Sequence, residues 1–94
     1  MDDATLFNCC THYAAPDWSQ FDWLEIGGCV SFEEDGETYT EGGFMASEAE
    51  FFTVYGHLRE GGSEAITDIP TLELADTVGE HLATLSGLPL HHSC

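Results

Sequence analysis

The chain contains no lysine, and Arg59 is its only strong cation. Against that single positive charge stand 18 aspartates and glutamates, which give a net charge of −17 at neutral pH. Without cations the chain has nothing with which to grip a phosphate backbone or an anionic lipid surface, so neither direct nucleic-acid binding nor membrane attachment is expected. No apolar run approaches transmembrane length. The opening Met1-Asp2-Asp3 has neither the positive region nor the apolar core of a secretory signal, so a cytoplasmic location is expected. Reduced thiols at Cys9, Cys10, Cys29 and Cys94 go with that expectation. There is no pair of CxxC knuckles, no glycine-rich phosphate loop and no nucleophile elbow. Asp17-Trp18-Ser19 and Gly61-Gly62-Ser63 are too generic to stand for one. No enzymatic activity and no cofactor are therefore expected.

What is present is enough to fold. Hydrophobic residues make up 43% of the 94 positions and aromatics 12%, which separates the chain from acidic disordered tails. Residues 1–94 read as one domain. The apolar stretch Leu6–Tyr13 reads as a strand or an irregular arm ending at Ala14-Ala15-Pro16. In residues 17–28, Asp17 suits the cap of a short helix carrying Trp18, Phe21 and Leu24; alternatively Phe21, Trp23 and Glu25 belong to a strand. Gly27-Gly28 is expected to end either element.

The next segment reads as a hairpin. Cys29–Glu34 and Glu37–Glu41 alternate around Asp35-Gly36, a pair suited to a two-residue type I′ turn. That register sets Phe32 opposite Tyr39, a favourable aromatic pair, and Glu34 opposite Glu37, an unfavourable one. Gly42–Glu50 reads as a connection with Phe44 and Met45 tucked inward. Phe51–Leu58 is the clearest strand, with Phe52, Val54 and Leu58 on one face. His57 then falls on its solvent face. After a turn at Arg59–Gly62, with Arg59 beside Glu60, residues Ser63–Ile69 read as a returning strand. Thr71 caps a helix over Leu72–Ser86, whose Leu74, Val78, Leu82 and Leu85 form an apolar stripe with His81 beside it. Gly87 and Pro89 close it, and residues 88–94 are expected to be a flexible tail. The class expected is α+β: an antiparallel sheet of about four strands packed on one C-terminal helix.

Three readings compete for the chemistry. In the first, the charge is the function. Half of the acids lie between Asp22 and Glu50, and the candidate partner-binding set is Asp22, Glu25, Glu33, Glu34, Asp35, Glu37, Tyr39, Glu41, Glu48 and Glu50. A second acidic group comprises Glu60, Glu64, Asp68, Glu73, Asp76 and Glu80. Duplex DNA carries about one charge per 1.7 Å of axis, and carboxylates on a rigid scaffold can imitate part of that pattern. Such a surface would steer toward a Lys/Arg-lined groove, with Trp18, Trp23 and Tyr39 as aromatic anchors. An ordinary solvated surface would intersperse both signs of charge. In the second reading the chain is a halophilic accessory domain; the depletion of arginine and the excess of Glu over Asp, 11 to 7, argue against it. In the third, Cys9, Cys10 and His12 join His91, His92 and Cys94 to supply zinc ligands, drawn from two chain ends that tend to fray.

Short length, a one-domain α+β pattern, extreme negative charge and near-absence of Lys and Arg together resemble the DNA-mimic inhibitors of phages and mobile elements, of anti-CRISPR and anti-restriction type. The resemblance spans the chain and rests on composition rather than a motif. It implies a basic nucleic-acid-binding partner, a CRISPR effector or a restriction enzyme, with the anti-CRISPR type favoured by small size. The segment Glu50-Phe51-Phe52-Thr53-Val54-Tyr55-Gly56-His57-Leu58-Arg59-Glu60-Gly61-Gly62, followed by Glu64-Ala65-Ile66-Thr67-Asp68, also looks like short accessory proteins of plasmids and phages.

Overall fold

The computed structural model describes residues 2–94. The N-terminal apolar stretch does not form a strand. Asp2 caps a single helical turn, α1 (Asp3–Leu6), by accepting from the Thr5 amide at 2.9 Å. Leu6 and Phe7 plug the core beside it. After 3-10 turns at Thr11–Tyr13 and Trp18–Gln20 come β1 (Phe21–Glu34), β2 (Glu37–Phe44), β3 (Phe51–Leu58), β4 (Ser63–Ile69), α2 (Leu72–Ser86) and β5 (Leu90–His92). For residues 17–28 the strand alternative holds, with Phe21, Trp23 and Glu25 on β1; the helix expected to carry Trp18, Phe21 and Leu24 is reduced to a three-residue 3-10 turn at Trp18–Gln20, because Phe21 and Leu24 are drawn into the sheet. Asp17 accepts from the Ser19 amide to cap the turn, and the strand starts at Phe21.

The sheet runs β2-β1-β3-β4, antiparallel throughout, with β5 parallel to β1. The α+β class is as expected from the sequence. The hairpin register also matches, with Phe32 opposite Tyr39 and Glu34 opposite Glu37. Asp35 and Gly36 take φ of 52° and 79°, the two positive values a type I′ turn requires.

Four features differ from the sequence reading. First, Gly27-Gly28 does not end β1. A Cβ on Gly28 would lie 2.5 Å from the Phe44 carbonyl oxygen, so glycine lets β2 press against β1 where the register shifts. Second, β2 continues through Gly42-Gly43 to Phe44, and Met45 is 61% exposed rather than tucked in. Third, α2 buries Ala75, Val78, Gly79 and Leu82, while Leu74 and Leu85 are exposed. The sequence favours a stripe of leucines, but the missing side chain at Gly79 permits the close approach to Ile26, whose Cδ1 would lie 3.0 Å from a Cβ there. The cap itself is as read: the Thr71 hydroxyl accepts from the Leu74 amide and Gly87 closes the helix at φ 76°. Fourth, residues 90–92 are strand rather than loose tail. β2 departs from β1 near Gly28, leaving the Leu24–Ile26 edge free, and β5 fills it; Leu24 N–H donates to Pro89 at 2.8 Å and Ser93 N–H to Ile26 at 2.9 Å.

One face of the sheet carries the core. Phe21, Leu24, Ile26, Phe52, Val54, Ile66 and Ile69 meet Val78 and Leu82 of α2 and Leu6 and Phe7. Each such side chain contributes roughly 1.5–3 kcal/mol when fully buried. The first half of β1 is thus anchored on both edges and under a helix. Its second half, with β2, leaves the body as an arm in which every residue from Ser31 to Gly43 is exposed.

Candidate functional site

The arm exists because β1 outlasts its partners. β3 pairs only as far as Cys29, and beyond it β1 has β2 alone. At about 3.3 Å per residue, the stretch from Ser31 to Glu34 carries the turn roughly 10–13 Å past the body. Directly paired residues share a face and successive residues alternate. One face of the arm therefore presents Phe32 and Tyr39, stacked with ring centroids 5.6 Å apart and 24° between planes. Toward the tip this aromatic pair is followed by Glu34 and Glu37, and toward the body by Glu41 opposite Val30. The other face carries Glu33 opposite Thr38, and Asp35 sits on the turn. The Tyr39 hydroxyl donates to the Glu37 carboxylate at 2.7 Å, which ties the ring down and raises the phenol pKa because ionisation would set two anions together.

The ten candidate partner-binding residues fall into three places. Glu33, Glu34, Asp35, Glu37, Tyr39 and Glu41 share the arm. Glu48 and Glu50 lie exposed at its base. Glu50 is already engaged, accepting from the Ser31 amide at 2.8 Å, a bond that supports the root of the arm. Asp22 and Glu25 lie on the anchored half of β1, away from the tip. Asp22 bonds His57 Nδ1 at 3.2 Å. Glu25 accepts from the Trp23 indole N–H and from the Ser93 hydroxyl.

No carboxylate is neutralised by a permanent cation among the described residues. Arg59 spends its Nε–H on the Ser19 carbonyl at 2.9 Å rather than on Glu60. Among the described residues, the two close contacts between a carboxylate and a basic side chain both use histidine, His57 with Asp22 and His92 with Asp76, and each is an ion pair only when the imidazole is protonated. The accessible surface is 5525 Å², so each uncompensated charge has about 320 Å². Of the 13 residues from Ser31 to Gly43, five are acidic and none is basic.

The zinc reading asked for ligands from both chain ends. The structure separates them. Cys9 and Cys10 lie along β4, where the Cys9 amide donates to Ile66 at 3.0 Å. His91 and His92 are on β5 at the opposite edge of β1, His91 against the Trp23 ring and His92 on Asp76. Among the described residues, no group of three or more His, Cys, Asp or Glu side chains could hold a metal ion. The Cys9 thiol is pushed up to about 12, first by burial and then by the Asp68 charge.

One constellation escaped the sequence reading. The sheet face opposite α2 carries Trp23 stacked on His57, ring centroids 3.8 Å apart and 8° between planes. Beside it a shallow cavity of about 220 Å³ is lined by Glu25, Gly27, Gly43, Tyr55, Ser63 and Ser93. Tyr55 is pushed up to about 12 by burial and by its hydrogen bond with Cys29. The period-two alternation places Trp23 and Glu25, and separately Tyr55 and His57, on the non-core face. Only the β1–β3 register joins them.

No helix among the described residues is long and apolar enough to cross a membrane. No family model matches the chain, nor does any curated protein or solved structure.

Proposed function

We propose that the protein is a stoichiometric inhibitor whose acidic arm occupies the cationic nucleic-acid channel of a CRISPR effector and thereby blocks target binding. One observation carries this reading. Glu33, Glu34, Asp35, Glu37 and Glu41 project from the body on a two-stranded arm that is exposed throughout and contains no cation. On the Phe32–Tyr39 face the same-strand carboxylates are Glu37 and Glu41, four residues and so about 13 Å apart, roughly four axial phosphate steps of a single DNA strand, with Glu34 directly across from Glu37. The arm can therefore set a carboxylate against about every fourth phosphate-binding cation along one strand of such a channel, with Glu33, Glu34 and Asp35 clustered at its tip. The exposed Phe32–Tyr39 pair gives the aliphatic stems and heads of Arg or Lys a surface to lie on. No turnover and no cofactor enter the mechanism: binding excludes the nucleic acid by occupancy, and the net charge raises the encounter rate.

The test is competition. A guide-loaded effector is mixed with labelled target DNA, and the protein is titrated in at rising KCl. Displacement at low salt that weakens steeply between roughly 0.05 and 0.5 M is expected, because the contacts are screened charge pairs. A restriction enzyme with its labelled site forms the second arm of the experiment. Displacement there alone would transfer the reading to anti-restriction, and displacement in neither would end it. A melt of the protein against KCl separates the halophilic reading, which requires molar salt for folding.

A further inference from the structure

The two long edges of the sheet are treated differently. The outer edge of β4 is closed by Asn8, whose side-chain amide imitates a peptide group: its Nδ2–H donates to the Asp68 carbonyl at 2.8 Å and its Oδ1 accepts from the Asp68 amide at 2.7 Å. The Cys9 amide closes the edge further at Ile66. The outer edge of β2 has no such cover. In a two-residue hairpin the residues flanking the turn form a hydrogen-bonded pair, and hydrogen-bonded and non-bonded pairs alternate from there. Glu37, Tyr39 and Glu41 therefore turn their backbone groups toward β1, and Thr38 and Thr40 turn theirs outward. Among the described residues nothing pairs with those outward groups. An unpaired edge is a template for another strand.

We infer that β2 is a strand-addition site for an extended, lysine- or arginine-bearing segment of the partner. This contact mode rests on the reading of the partner as cationic. The charge chooses the occupant. A second copy of the chain would bring Glu37 and Glu41 against like charges, on a molecule of net charge −17, whereas an alternating basic strand would lay its cations along those same carboxylates. Backbone bonds at Thr38 and Thr40 supply register. The side chains of Phe32, Tyr39, Glu37 and Glu41 on one face and of Thr38 and Thr40 on the other meet the incoming residues. Recognition of this kind takes affinity from the main chain and selectivity from the alternating side chains. It also gives the arm a contact that free counterions or an unstructured polycation cannot reproduce.

The test uses the full-length protein and a capped peptide of about seven residues alternating lysine and valine. Its control has the same sequence N-methylated at alternate residues, which keeps the charge and removes the edge-pairing N–H groups. Amide exchange at Thr38 and Thr40 should slow at least tenfold with the first peptide, and the control should bind at least tenfold more weakly. Equal binding of the two peptides, or no protection at Thr38 and Thr40, would overturn the inference. Thr38→Pro removes one outward N–H without touching the β1–β2 bonds and should lose the peptide tenfold or more while Phe32 and Tyr39 stay protected. Should that variant not fold, the peptide pair alone decides. The two readings fail separately. If the wild type displaces DNA from the effector and a folded Thr38→Pro does so equally well, strand addition is wrong and occupancy stands. If the wild type displaces nothing yet pairs with the peptide, occupancy is wrong and the edge site stands.

Discussion

Replacing Glu34 by lysine should strengthen the arm and weaken its function at the same time. Glu34 lies directly across from Glu37, and cross-strand partners have Cβ atoms about 5.5 Å apart. Two like charges at that separation in water repel by about 0.8 kcal/mol. Reversing one sign turns the repulsion into a comparable attraction, a swing of about 1.5 kcal/mol as an upper bound. Ordering two long exposed side chains reduces it to about 0.5–1 kcal/mol. Glu34→Lys leaves the Tyr39–Glu37 hydrogen bond in place, so no existing contact is lost in exchange. The arm pairs only with itself beyond Cys29 and can open without the core, which makes amide exchange the suitable assay. At low salt the inward amides of Phe32 and Tyr39 should exchange about two- to fivefold more slowly than in the wild type, and the gain should fade near 1 M salt. In the competition experiment the same variant should displace DNA at least several-fold less well. Exchange that is unchanged or faster at low salt would refute the electrostatic account of the arm. Full inhibitory potency in a variant with a demonstrably tighter arm would refute the account of what the arm is for.

Gly56→Ala would set a methyl 2.6 Å from ring atoms of the fully buried Phe21, and overpacking of this kind should cost about 1–3 kcal/mol in a urea titration. Thr71→Ala removes the cap of α2 and should cost about 1 kcal/mol. Asn8→Ala opens the β4 edge, so the Asp68 amide should exchange faster while the arm amides are unaffected. The Cys9 thiol, held at about 12 against an ordinary value of 9.0, keeps its proton more firmly when folded, as does Tyr55 at about 12 against 10.0. Their contribution to stability is therefore complete below pH 9 and declines as the pH rises toward 12, because the unfolded chain loses these protons first. Urea midpoints should fall between pH 8 and pH 10.5, and alkylation of Cys9 at pH 8.5 should be at least tenfold slower in the native than in the unfolded protein.

Local chemistry was enough to write down the hairpin, the strands at 51–58 and 63–69 and the bounds of α2. In each case the signal is short-range: Asp35-Gly36 adopts positive φ cheaply, alternation is fixed by the pleat, and Thr71 and Gly87 satisfy helix ends within a few residues. The charge imbalance and its concentration around residues 33–41 are likewise properties of the chain alone. What followed from long-range packing was out of reach. β5 has no strand signal of its own and forms because β2 abandons an edge of β1 that must be paired. Gly28 reads as a terminator until Phe44 is seen pressing on it. Which stripe of α2 faces inward is decided by how closely Gly79 must approach Ile26. The split of the ten candidates among arm, root and anchored strand arises where β3 stops, and so does the difference between a closed β4 edge and an open β2 edge. Backbone hydrogen bonds are satisfied by whichever segment arrives in space, and the sequence carries no local record of which one that will be.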